Sequence, residues 1–157
     1  MLSTLVPKIQ TILDKQLPDT AFKQVFVRTK GFGSDYISIK IAASDHQINN
    51  VRGQYPLCAS LQLHEDLSLT TQPYGGHGGR RIYFKVLPED NSFYALHSVD
   101  IPFRKPKPEE KYLLKAIERF ASRWLQAIKD NADRLPHENN VDYPSLIGDA
   151  YTTRSAA

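Results

Sequence analysis

The chain has 157 residues, 41% of them hydrophobic and 24% charged, with a formal charge of +3 at pH 7. That length fits one domain with a core large enough to need no staple, and the composition is that of an ordinary globular protein. The small positive charge permits an anionic partner but falls well short of a dedicated, strongly basic nucleic-acid protein.

Cys58 is the single cysteine, so an intramolecular disulfide is excluded and a reducing compartment is expected. No stretch approaches the roughly 18 apolar residues of a membrane span. The opening MLSTLVPKIQTILDK lacks the continuous apolar core of a secretory signal. The expectation is a cytoplasmic protein without membrane association.

Residues 3 to 16 predict a first helix. Ser3 or Thr4 can cap it, Pro7 is tolerable within the first turn, and Leu5, Ile9, Ile12 and Leu13 form an apolar stripe. LPDT at 17–20 ends it. The stretch FKQVFVRTKGFGSDYISIKI, 22–41, then reads as two strands and a turn. Val25, Val27 and Thr29 alternate with Phe26, Arg28 and Lys30; Ile37, Ile39 and Ile41 alternate with Tyr36, Ser38 and Lys40. The pattern predicts one buried aliphatic face and one solvated, basic and partly aromatic face, with Gly31 and Gly33 supplying the turn.

A polar, turn-rich segment, AASDHQINNVRGQYP, follows. Residues 57–69 are expected to form a third strand, with Leu61 and Leu63 on one face. After the glycine-rich TQPYGGHGGRR, the run RIYFKV alternates Ile82, Phe84 and Val86 with Arg81, Tyr83 and Lys85. Residues 93–101 read as its partner, with Pro88 to Asn91 turning the chain into a second hairpin. Pro102, Pro106 and Pro108 make a stiff connector, and Pro108 suits the first position of a helix whose N-terminus Glu109 and Glu110 favour. From there to about Asn131, Leu113, Leu114, Ile117, Phe120, Ala121, Trp124, Leu125 and Ile128 trace a wide apolar face. Lys111, Lys115, Glu118 and Lys129 lie away from it. The domain is expected to span 1–131, with 132–157 a polar tail that docks in part through VDYPSLIGDAY and frays at its end. The fold class expected is α+β: an antiparallel sheet of about four strands, covered on one face by the N-terminal helix and the long C-terminal helix.

The first candidate site is the face opposite the aliphatic residues, carrying Phe26, Arg28, Lys30, Tyr36, Lys40, Arg80, Arg81, Tyr83 and Lys85. Aromatic rings offer stacking platforms for bases, and the interspersed cations can neutralise phosphates. The same residues also describe a solvated face whose lysines and arginines keep strand edges soluble. The second candidate is the loop Gly75, Gly76, His77, Gly78 and Gly79 ahead of the two arginines. Its amides could approach an anion, yet it lacks both the GK[ST] of a phosphate-binding loop and the strand–loop–helix context of a dinucleotide fingerprint. A mobile hairpin loop explains it as well.

The five histidines form no HxH, HxxxH or Cys/His cluster, so no metal site and no cofactor is expected. His64-Glu65-Asp66 is an acidic triplet that could be a turn. Cys58 in PLCASL suits a small buried thiol better than an activated thiolate, and no GxSxG is present. No catalytic residue is assigned.

The residues Val27-Arg28, the Phe32/Gly33/Ser34 turn and the return strand Tyr36 to Ile41 resemble the large polyvalent protein-associated domains of phages and conjugative elements. The resemblance covers roughly 20 residues through a degenerate motif and carries over no catalytic residue. What it implies is context: a mobile-element or accessory bacterial protein acting on DNA transfer or on host defence machinery. The expected function is a non-enzymatic binding module for single-stranded nucleic acid or a nucleic-acid-handling protein. The alternatives are a protein-binding inhibitor or adaptor, with a homodimer through the C-terminal segment left open, and an enzyme of unassigned chemistry.

Overall fold

The computed structural model describes residues 2–29, 33–43, 58–71, 83–88, 98–135 and 141–148. A 3₁₀ turn at Leu2–Thr4 leads into helix α1, Leu5–Gln16. Thr4 holds the cap position without a side-chain cap bond, because its backbone is already helical (φ −73°, ψ −21°) rather than extended. Strands β1 (Phe22–Arg28), β2 (Tyr36–Ala42), β3 (Ala59–His64) and β4 (Leu69–Thr71) follow. They form one antiparallel sheet in the order β1-β2-β3-β4. Val25 faces Ile39, which faces Leu61, and Val27 faces Ile37, which faces Leu63. The alternation of the sequence therefore becomes one continuous aliphatic surface. Gly33, at φ +115°, takes the turn conformation that favours glycine; Gly31 lies outside the described residues.

The expected third strand is instead two strands and a turn. His64 donates its backbone N–H to Ser68 and accepts from Leu67, and Asp66 accepts from both the N–H (2.9 Å) and the hydroxyl (2.6 Å) of Ser68. These bonds hold Leu67 at φ +65° while its side chain packs on the core. Local side-chain-to-backbone bonding here outcompetes an extended ladder, which explains the weak alternation over 57–69.

The second pair also departs from expectation. Strands β5 (Tyr83–Pro88) and β6 (Ser98–Phe103) are parallel, with Tyr83 opposite Ser98 and Pro88 opposite Phe103. They are not a hairpin, and Pro88 lies in the ladder rather than in a turn. Alternation along a strand is identical for both chain directions, so only packing decides between them. Ile101 and Phe103 are buried in the common core, and β6 packs on the long helix. Pro102 stands inside β6, which a two-stranded sheet tolerates at its unpaired edge.

Helix α2 spans Glu110–Asp130. It starts two residues later than the sequence predicts, because Glu109 is extended (φ −129°, ψ 142°) and Pro108 falls outside the helix. Leu113, Ile117, Phe120, Trp124 and Ile128 form its buried face, against Ile9 and Leu13 of α1 and the isoleucines of β2. Lys8 pairs with Glu110, and Gln16 Nε2 donates to Glu118 at 3.3 Å. Both contacts span the same 102 residues, so α1 and α2 run parallel over the sheet. The short helix α3, Tyr143–Ile147, packs on α2 through Tyr143, Leu146 and Ile147. The core thus extends past residue 131, and 143–147 belong to the same body. Among the described residues, no helix is long and apolar enough to cross a membrane.

Three carboxylates are held below the usual Asp range: Asp14 by its hydrogen bond with Lys23, Asp66 by the Ser68 hydroxyl, and Asp142 by the Ser145 hydroxyl at the start of α3. A carboxyl whose pKa is lower when folded stabilises the fold above the unfolded pKa. That contribution is lost as pH falls through the folded value. Thermal stability is therefore expected to be level above about pH 5 and to fall steadily below about pH 4. A melting temperature flat or rising from pH 5 to pH 3 contradicts this.

Candidate functional site

The antiparallel register brings part of the predicted sheet-face site together. Arg28 stands opposite Tyr36 and Tyr36 opposite His64; Phe26 is opposite Ser38, and Gln24 opposite Lys40. The Arg28 guanidinium lies 5.6 Å from the Phe26 ring centre. The face is not the solvated platform expected, however. Tyr36 is 7% exposed, Ser38 3% and Ser60 1%. The Tyr36 ring lies tilted beside His64, with 5.9 Å between centroids. A buried ring has no open face on which a base could stack, which leaves Arg28 exposed, Lys40 half-buried and, of the aromatic residues between them, only the half-buried Phe26 ring, over which Arg28 already lies.

Tyr83 and Lys85 stand in β5, which belongs to the separate parallel pair and not to the four-stranded sheet. Lys30, Arg80, Arg81 and the loop Gly75, Gly76, His77, Gly78 and Gly79 lie outside the described residues.

At one end of this sheet a polar recess of about 450 Å³ is lined by Gly33, Ser34, His64, Glu65, Asp66, Ser68 and Thr70. His64 Nε2 and Thr70 Oγ1 are hydrogen-bonded at 2.9 Å, and one carboxylate oxygen of Asp66 accepts from both the N–H and the hydroxyl of Ser68. These bonds close the β3–β4 turn on itself. No group of three or more His, Cys, Asp or Glu suited to a metal occurs among the described residues.

A larger cleft, of about 520 Å³, lies between α2 and the segment leaving β6. Ile101 and Phe103 anchor β6 in the core, and Arg123 Nη1 donates to the carbonyl of Pro102. Lys107 reaches the Tyr112 ring at 5.7 Å. With Pro102 beside Arg123 and Lys107 beside Tyr112, residues 102–107 run antiparallel to the helix for about 16 Å. Pro102 and Pro106 stiffen that run. On the helix side, Tyr112, Lys115, Arg119 and Arg123 follow the spacing i, i+3, i+7, i+11 and so share one stripe. Two of the three acids of α2 turn the other way, Glu110 to Lys8 and Glu118 to Gln16 on α1.

Of the twelve described residues lining the cleft, six are cations (Arg104, Lys105, Lys107, Lys115, Arg119 and Arg123) and none is acidic. Among the described residues, Arg104, Lys105, Lys115 and Arg119 make no ion pair or hydrogen bond, although the whole chain carries a formal charge of only +3. Like charges gathered in a concave wall repel one another and focus a positive potential that a polyanion relieves. Sequence reasoning treated 102–108 as a connector and Lys115 as part of a solvated helix face. The signal was there in FRKPKPEEK and in Lys115, Arg119 and Arg123 at four-residue intervals, each on the polar side of α2.

Comparison with protein-family models, with curated proteins and with solved structures finds no match, so the geometry of the cleft stands as the guide to function.

Proposed function

We propose that the protein is a non-enzymatic binding module for nucleic acid, and that the cleft between α2 and residues 102–107 is its contact surface. One observation carries the reading: among the described residues, six cations and no acid line a single recess, four of the cations being without an ion-pair partner there. Lys115, Arg119 and Arg123 rise along α2 in steps of about 6 Å, so a polymer of regularly spaced phosphates can be met repeatedly along the cleft. The resemblance of the β1–β2 hairpin to polyvalent protein-associated domains adds a context in DNA transfer or host defence.

The test is a fluorescence anisotropy titration with labelled DNA and RNA, comparing wild type with Lys115→Glu/Arg119→Glu and with Arg28→Glu/Lys40→Glu. Cleft reversal is expected to weaken binding roughly tenfold or more at low salt, while reversal on the sheet face changes it little. The opposite ranking returns the site to the sheet. Absence of binding by wild type at low salt removes the nucleic-acid reading.

A second reading, a protein-binding inhibitor or adaptor, draws on β1, the edge of the four-stranded sheet, where Phe22 and Val27 are 39% and 37% exposed. An exposed apolar edge can accept a partner's strand. That reading predicts partner capture insensitive to salt and lost in Phe22→Asp/Val27→Asp.

A further inference from the structure

We infer that the cleft takes a single strand rather than a duplex, with Tyr112 as the surface on which one base stacks. The inference rests on the nucleic-acid reading above and adds the form of the ligand. Tyr112 is half-exposed in the wall of the cleft, one turn from Lys115 on the same stripe. Its ring is flanked by two exposed ammonium groups, Lys107 at 5.7 Å and Lys111 at 4.9 Å from the ring centre. Both are long, solvated side chains held by a weak contact, so an incoming base can displace them. The displaced ammonium groups then stand beside the phosphates that flank that base. Base stacking on an aromatic ring with cations to either side is the arrangement that single-strand binders use.

A duplex fits poorly for two geometric reasons. The stripe of α2 that carries Lys115, Arg119 and Arg123 is walled by residues 102–107, so it cannot lie in a major groove as a recognition helix does. The cations stand within a recess of about 520 Å³, which admits a short run of one strand but not the width of two. A duplex also keeps its base faces stacked and unavailable to Tyr112.

The experiment uses the full chain and three labelled DNA probes of equal length, roughly ten nucleotides. They are oligothymidylate, a strand of the same phosphates with abasic sugars, and a duplex. Wild type is expected to bind oligothymidylate about 5- to 150-fold more tightly than the abasic strand, the span that one stacked base supplies. It is also expected to bind oligothymidylate more tightly than the duplex. Tyr112→Ala is expected to bring oligothymidylate down to the abasic level without weakening the abasic strand, whereas Tyr112→Phe keeps the preference. Equal binding of the thymidylate and abasic strands, or a preference for the duplex, overturns the inference while leaving a phosphate-binding cleft. No binding of any probe at low salt, or full binding by Lys115→Glu/Arg119→Glu, overturns the nucleic-acid cleft itself and the inference with it. The abasic comparison on wild type is decisive even where a Tyr112 variant folds poorly.

Discussion

Replacing Trp124 with alanine is expected to lower the free energy of unfolding by about 3–5 kcal/mol, the span measured when a large buried aromatic is truncated. Trp124 lies near the middle of α2, is fully buried, and is the largest such side chain in the described core. It belongs to the cluster that joins α2 to α1, the β2 isoleucines, β6 and α3. No single neighbour can move to fill the space, because that cluster draws on several elements that other contacts hold in place. A loss of this size is a large fraction of the roughly 5–15 kcal/mol that domains possess, so the variant should be mostly unfolded or close to its midpoint under mild denaturant. Trp124 is the chain's one tryptophan, so the unfolding curve should be followed by far-ultraviolet circular dichroism rather than by intrinsic tryptophan fluorescence. A midpoint shift worth less than about 1 kcal/mol would mean that α2 does not anchor the core.

The affinity for a single strand is expected to fall by about 50- to 300-fold between roughly 50 and 200 mM salt. Each phosphate neutralised on a single strand contributes about −0.7 to the slope of log affinity against log salt. The four cleft cations without an ion-pair partner among the described residues, or all six, give a slope of about −3 to −4. Lys115→Glu/Arg119→Glu should flatten that slope as well as weaken binding, because fewer counterions are released. Tyr112→Ala should weaken binding at a constant slope, because stacking releases none. A near-zero slope for wild type would point to recognition by shape and apolar contact instead, as the edge-strand reading requires. The salt slope therefore separates the two functional readings even while the natural partner is unidentified.

Much of the architecture was legible from local patterns. Alternation of Val25 and Val27, and of Ile37, Ile39 and Ile41, defined β1, β2 and their common face, because side-chain direction along a strand has a strict period of two. The spacing of Leu113, Ile117, Phe120, Trp124 and Ile128 defined α2 for the same kind of reason at period 3.6. The direction of β6 against β5 and the division of 57–69 into β3, a turn and β4 were not legible. Period is blind to strand direction, and a turn bonded by Asp66 and Ser68 competes with the ladder over only a few residues.

The site divides in the same way. The sequence by itself determined which side chains are cationic or aromatic and which stripe of a helix or face of a strand each one shares. It could not determine what lies across from that stripe or face. Tertiary structure decided that Tyr36 is covered while Tyr112 lines an open cleft, and that residues 102–107 double back along Lys115, Arg119 and Arg123. The physical reason is that periodicity is a property of one element, whereas burial and electrostatic potential are properties of the neighbours that packing brings to it.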